Sequence, residues 1–175
     1  MPYTIDDYKN QLGYGARLNL FEVDIQFPPA LINPNISDTL KIMCERVTFP
    51  GSRPITPIDI PFQGDYIRVA GEKAAEGDLV IAFKNPENFK ARNQFELWTE
   101  LIHEDVSGLR TTPTLHKSPW FFINILNHAK EPIRRVEIKG AWPQSVNPLE
   151  LDMAGTEISL TEVTFAIDNH IITVL

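Results

Sequence analysis

The stretch Thr56-Pro57-Ile58-Asp59-Ile60-Pro61-Phe62-Gln63-Gly64-Asp65-Tyr66-Ile67-Arg68-Val69-Ala70-Gly71 decides how the chain is read. Thr56, Ile58, Ile60 and Phe62 alternate onto one face, Gln63-Gly64 has the composition of a tight reversal, and Ile67 and Val69 return. The pattern predicts a β-hairpin over residues 54–71. Pro54, Pro57 and Pro61 supply no amide hydrogens to a ladder, so at least part of this arm lies at a sheet edge or protrudes. An exposed apolar edge invites association unless something covers it, and a partner chain is one natural cover.

Outward from the hairpin, alternation continues. Phe21, Val23, Ile25 and Phe27 face one way and Glu22, Asp24 and Gln26 the other, which is a half-buried strand. Pro28-Pro29 and Asn33-Pro34-Asn35 end it and predict a loop over 28–38. Leu40 to Val47 reads as a second strand holding Cys44, closed by Phe49-Pro50-Gly51. Further strands are expected at Gly77 to Phe83, Trp120 to Leu126, Arg134 to Gly140 and Ile158 to Ile167. One helix is expected over 85–103, with Asn85 as cap, Pro86 at its first position, and an apolar stripe of Ala91, Phe95, Trp98 and Ile102. Trp98 is assigned to that stripe, Trp120 to a core strand and Trp142 to a Trp-Pro turn, while residues 1–16, with Gly13-Tyr14-Gly15, read as an arm. The expected fold is mainly β: one domain over 1–175, two packed sheets as a sandwich or open barrel, and one flanking helix.

The chain has 175 residues and a net charge of −7, with 43% hydrophobic and 22% charged residues. That balance suits a folded domain rather than a disordered one. Its acidity disfavours ordinary nucleic-acid binding, which rests on neutralising phosphates; the basic pair Arg134-Arg135 is explained as well by a cross-strand salt bridge. A single cysteine forms no internal disulfide, so folding is expected in a reducing cytoplasm. The N-terminus lacks the basic start and apolar run of a secretion signal, and the uncharged segment 118–129 is too short for a bilayer-spanning helix, so no membrane insertion is expected.

Motifs for chemistry are sparse. His103, His116, His128 and His170 each stand alone in the local sequence, and His103-Glu104 lacks the second histidine of a zinc-protease helix, so no metal is expected. Cys44 has no base or cation at readable spacing, and a buried strand cysteine is the better reading. No phosphate-cradling glycine loop is present, and the adjacent carboxylates Asp6-Asp7 and Glu104-Asp105 read as solvated charge. Asn35-Ile36-Ser37 fits a glycosylation acceptor but is discounted without a secretion signal. An enzyme on a β-sandwich lacks a nucleophile, base and orienter, so neither catalysis nor a cofactor is expected.

Four segments in order carry a resemblance: Ala16-Arg17-Leu18-Asn19-Leu20-Phe21-Glu22-Val23; Ile60-Pro61-Phe62-Gln63-Gly64 through Val69-Ala70-Gly71; Ala91-Arg92-Asn93-Gln94-Phe95; and Val136-Glu137-Ile138-Lys139-Gly140-Ala141-Trp142-Pro143. Over nearly the whole length the chain resembles the tail tube proteins of contractile-tailed bacteriophages, relatives of the type VI secretion tube protein. That resemblance implies a subunit of hexameric rings that stack into a hollow inner tube, with strands lining a shared barrel. It implies that DNA passes through the lumen when the surrounding sheath contracts. The implied partners are other copies of the chain, the sheath protein, baseplate and tail terminator proteins, and the tape measure protein and DNA within the lumen, without sequence-specific binding. The implied location is the virion tail, assembled in the host cytoplasm. The alternative is a tube subunit of a secretion or extracellular contractile injection system carrying protein effectors.

On that resemblance, Ile58, Ile60, Phe62, Tyr66, Ile67 and Val69 are expected to contact neighbouring subunits. Glu22, Asp24, Glu137 and Glu162 are candidates for the lumen, with outward solvent exposure the competing reading, since alternation fixes a face but not what that face meets. The loop 28–38 is expected at the outside or rim. The segment 107–118 departs from the pattern and carries no assigned role, and 170–175 continues past the last family-like strand as a candidate contact between rings.

Overall fold

The computed structural model describes residues 4–13, 15, 17–31, 36–103 and 112–175. In chain order the elements are α1 (Ile5–Leu12), β1 (Phe21–Ile25), α2 (Ile36–Met43), β2 (Cys44–Thr48), β3 (Ile55–Phe62), β4 (Asp65–Lys73), β5 (Leu79–Lys84), α3 (Lys90–Ile102), α4 (Pro113–His116), β6 (Phe121–Leu126), β7 (Pro132–Lys139), β8 (Trp142–Val146), β9 (Leu160–Ala166) and β10 (Asn169–Val174). They build two four-stranded antiparallel sheets, ordered β1-β6-β7-β10 and β2-β5-β9-β8, and a separate two-stranded ribbon, β3-β4. This is the expected mainly-β architecture of two packed sheets.

The core lies between the sheets and is closed along one side by α3. Val23 and Ile25 of β1, Phe121 and Ile123 of β6, and Val136 and Ile138 of β7 meet Leu79, Ile81 and Phe83 of β5 and Val163 and Phe165 of β9. Phe165 is the junction, with Phe121 across the sandwich at 5.5 Å and Phe95 and Trp98 of α3 at 5.8 and 6.1 Å between ring centroids. Each wholly buried side chain of this size contributes about 1.5–3 kcal/mol. The stripe Ala91-Phe95-Trp98 explains why α3 lies here, and the Trp98 indole N–H donates to the His116 carbonyl at 2.6 Å, so its polar end is satisfied.

Gly140 explains the Lys139-Gly140-Ala141-Trp142-Pro143 motif. Its φ is +66°, and a Cβ there would lie 2.0 Å from Asp168 Oδ2. That carboxylate receives both Lys117 Nζ contacts, at 2.6 and 2.8 Å, and the Asp168 amide donates to the Lys139 carbonyl. The glycine lets β7 turn into β8 beneath this ion pair.

Several expectations are corrected. The strand placed at Leu40 to Val47 begins only at Cys44, because Ile36 and Leu40, four apart, bury one side of α2 while Ile42 remains 79% exposed. Helical period outweighs the short alternation. The helix expected from Asn85 begins at Lys90: the Asn85 side chain accepts from Thr161 Oγ1 at 2.7 Å and donates to Ser159 Oγ at 3.1 Å, so it ties the chain to β9 instead of capping α3. Phe89, at φ +50°, precedes the helix without a side-chain cap. Trp142-Pro143 is not a turn but the start of edge strand β8, where proline is tolerated. Trp120 stands outside the core, 38% exposed, stacked on Phe122 at 5.6 Å.

Residues 4–12 of the expected arm form a capped helix. The Thr4 amide donates to Asp7 Oδ2 at 2.8 Å and the Asp7 amide to Thr4 Oγ1 at 3.2 Å, a reciprocal capping box; the Thr4 hydroxyl, donating to Asp7 Oδ2 at 2.7 Å, and then the Thr4 amide hold the Asp7 carboxyl below its ordinary range. Met1 to Tyr3, Tyr14 and Ala16 of the arm, residues 32–35 of the 28–38 loop with Asn35 of the glycosylation tripeptide, the Glu104-Asp105 pair and residues 107–111 of the 107–118 segment lie outside the described residues.

Candidate functional site

The hairpin is the feature that the rest of the fold does not use. Among the described residues β3 and β4 pair only with each other, and every residue of β3 is exposed. The reversal at Gln63-Gly64 places both residues at positive φ, +51° and +93°, a geometry whose twist suits two-residue hairpins. Direct cross-strand partners are Ile58 with Val69, Ile60 with Ile67, and Phe62 with Asp65; Pro57 with Ala70, Asp59 with Arg68, and Pro61 with Tyr66 alternate with them. The ribbon therefore has two unlike faces.

One face carries Ile58, Ile60, Phe62, Ile67 and Val69, each between 38% and 58% exposed. Five of the six residues expected at a subunit contact thus share a surface. Tyr66 sits on the opposite face among prolines and charge. There Arg68 clamps Asp59 with Nε to Oδ1 at 2.7 Å and Nη2 to Oδ2 at 3.1 Å. This bidentate pair holds the Asp59 carboxyl below its ordinary range and raises the Arg68 guanidinium. The prolines replace ladder donors on a ribbon that has no third strand to satisfy.

The four lumen candidates do not come together. Glu22, Asp24 and Glu137 lie on the outward face of the β1-β6-β7-β10 sheet, with Asn124, Phe122 and Arg135 beside them by register. Glu162 lies on the outward face of the other sheet, opposite Ala82. Asp24 pairs with Lys41 of α2 at 3.1 Å, Glu137 lies 3.8 Å from Lys139, and Glu162 pairs with Arg46. Arg135 lies 5.2 Å over the Phe122 ring and donates to Asn124 Oδ1 at 2.9 Å. The cross-strand contact of Arg135 is to an amide and a ring, not to the carboxylate of the expected salt bridge.

Among the described residues no group of three or more potential metal ligands occurs. Cys44 opens β2, half-buried, and burial pushes its thiol up to about 12. No described helix is long and apolar enough to cross a membrane. One cluster has no signal in the sequence: Glu76, its side chain buried beside the hairpin, contacts both Arg53 and His170. Its members come from three distant segments, with no shared spacing to read.

The two-sheet sandwich with its projecting ribbon is similar in fold to subunits of contractile injection systems. The structure aligns over the full length of both chains with a subunit of the sheath-tube complex of an extracellular contractile injection system, PVC, in its extended state, at a TM-score of 0.66 and 15% identity. It also aligns with the tube-terminating cap of the anti-feeding prophage at a TM-score of 0.68 and 15% identity, covering 93% of each chain. In sequence, the tail tube protein gp19 of Enterobacteria phage T4 is 28% identical over 170 residues, covering 94% of this chain and 97% of that protein. The tail tube protein of Serratia phage KSP90 is 23% identical, covering 92% and 91%. The phage tail tube protein family matches residues 16–173, and the chain belongs to that family.

Proposed function

We propose that the chain assembles as hexameric rings that stack into the inner tube of a contractile phage tail, and that the apolar face of the β3-β4 hairpin joins one copy to the next. The observation that carries this is the pairing of family membership with five apolar side chains on one face of a ribbon that its own chain leaves uncovered. Closing a ring removes the edges that β1, β10, β2 and β8 leave open.

The proposed partners follow the assemblies in which fold relatives occur: a sheath around the tube, a baseplate below and a terminator above. The tape measure protein and then DNA would occupy the lumen without catalysis, and assembly would take place in the host cytoplasm. For the channel wall, the outward face with Glu22, Asp24 and Glu137 is the better candidate because it gathers three carboxylates against one, although Asp24 and Glu137 have Lys41 and Lys139 beside them as Glu162 has Arg46. A wall without excess positive charge lets a polyanion slide. Glu22→Lys with Glu137→Lys is expected to leave tubes intact and to make them retain short duplex DNA at low salt; equal retention by both tubes would remove this face from the lumen.

Assembly itself is tested by negative-stain microscopy and light scattering of the full chain. Rings or hollow tubes with a unit mass of six times 19.9 kDa are expected. A chain that remains monomeric when concentrated and when seeded with a baseplate would overturn the reading.

A further inference from the structure

The ribbon can present its apolar face to a neighbour only if its angle to the body is fixed, and among the described residues its strands pair with nothing but each other. A two-stranded ribbon alone is marginal in water. β3 and β4 have eight and nine residues, so at about 3.3 Å per residue the tip lies ~27 Å from the root. A swing of about 10° at the root moves the tip by ~5 Å, one strand spacing, enough to lose register with a partner. Something at the root has to limit that swing.

The root is where the buried carboxylate lies. Ala74 N–H closes the base of the ribbon on the Pro54 carbonyl at 2.9 Å. Just outside that bond, Arg53 enters the ribbon and Glu76 leaves it. The Glu76 side chain is 2% exposed, with Arg53 Nε 2.8 Å from Oε2 and His170 Nδ1 against Oε1. The Arg53 approach is an ion pair off the hydrogen-bond direction, so Oε2 has no aligned donor. His170 is in turn held in β10, opposite the buried Ile138 of β7. One carboxylate therefore ties the segment entering the ribbon and the segment leaving it to edge strand β10.

We propose that Glu76 is a positioning residue that pins the hairpin to β10 and sets the angle at which its apolar face meets a second copy; this rests on the assembly reading above. A buried charge is costly to strand without its partners, so the arrangement strongly disfavours any tilt that pulls Glu76 from His170 or Arg53. An apolar contact at the root would slide without such a penalty. The ion pair thus supplies direction where the ribbon's own strands supply none.

The test compares the full chain with Glu76→Gln and Arg53→Met, alongside Ile60→Asp with Ile67→Asp as the assembly control. Spin labels at Asp65→Cys and Leu97→Cys, in a Cys44→Ala background, read the distance from ribbon tip to body in dilute monomer. Glu76→Gln is expected to broaden that distance distribution and raise the critical concentration for tubes about tenfold, with the melting temperature within about 3 °C of the parent. Should Glu76→Gln lower the melting temperature by more than about 5 °C, Arg53→Met decides in its place, with the same expected broadening and a weaker assembly defect. An unchanged distance distribution, or tubes at the parental critical concentration while the control fails to assemble, would overturn the pin. Normal tubes from the control would instead overturn the assembly reading on which it rests.

Discussion

Replacing both Ile60 and Ile67 with aspartate strikes the centre of the apolar face, where the two side chains are direct cross-strand partners. They are 47% and 54% exposed in the single chain. Complete burial of such a side chain contributes about 1.5–3 kcal/mol, so the exposed halves hold roughly 1 kcal/mol each for an interface. The substitution removes about 2 kcal/mol of that and carries two carboxylates into an apolar contact, adding at least ~2 kcal/mol of desolvation. A loss of about 4 kcal/mol per contact is close to a thousandfold in association. Within the monomer the two aspartates repel across the ribbon by about 0.2–1 kcal/mol, and the core between the sheets is untouched. The expected result is a folded monomer by circular dichroism, with no rings or tubes by sedimentation velocity at concentrations where the parent assembles. Tyr66→Asp, on the opposite face, is the matched control and is expected to assemble. Tubes of normal length from the double variant would refute the reasoning; loss of assembly from Tyr66→Asp alone would show that both faces are covered.

Three other outcomes follow from the geometry. Gly140→Ala forces a Cβ to within 2.0 Å of Asp168 Oδ2 at a positive φ, and a stability loss of about 2–3 kcal/mol is expected in urea unfolding, larger than for Gly51→Ala, where a Cβ meets open space. With burial pushing the Cys44 thiol up to about 12, its thiolate at pH 8 is ~1000-fold scarcer than for a free cysteine, so iodoacetamide labelling should be slow in the native chain and normal in urea. Because the Asp59 carboxyl is held below its ordinary value by Arg68, its contribution to the ribbon is complete above the ordinary carboxylate range and lost as pH falls through the lowered value. Protection of the β3-β4 amides, taken relative to the exchange rate of an unstructured chain at the same pH, should fall below about pH 4, and Asp59→Asn should flatten that dependence.

What could be read from the sequence divides along physical lines. Alternation over β1, β5 and β9 and the Gln63-Gly64 reversal are local signals, and each element fell where its pattern put it. The prolines located the ribbon outside the main sheets for the reason they were informative, a missing donor. Where two periods overlapped, the reading failed: Leu40, Ile42 and Cys44 alternate as a strand would, yet Ile36 and Leu40 decide the helix. Asn85-Pro86 looked like a helix start because the sequence does not reveal that Thr161 and Ser159 claim the asparagine. At the candidate site, period two grouped Ile58, Ile60 and Phe62, while the face of Tyr66 depended on register across the turn. The Arg53-Glu76-His170 cluster was invisible because it is made by tertiary contact between positions far apart in the chain.

The most direct measurement is a cryo-EM map of tubes grown from the purified full chain. The account predicts a ring of six copies in which Ile58, Ile60, Phe62, Ile67 and Val69 are buried against an adjacent copy. Tubes in which that face of the ribbon remains open to solvent would contradict it.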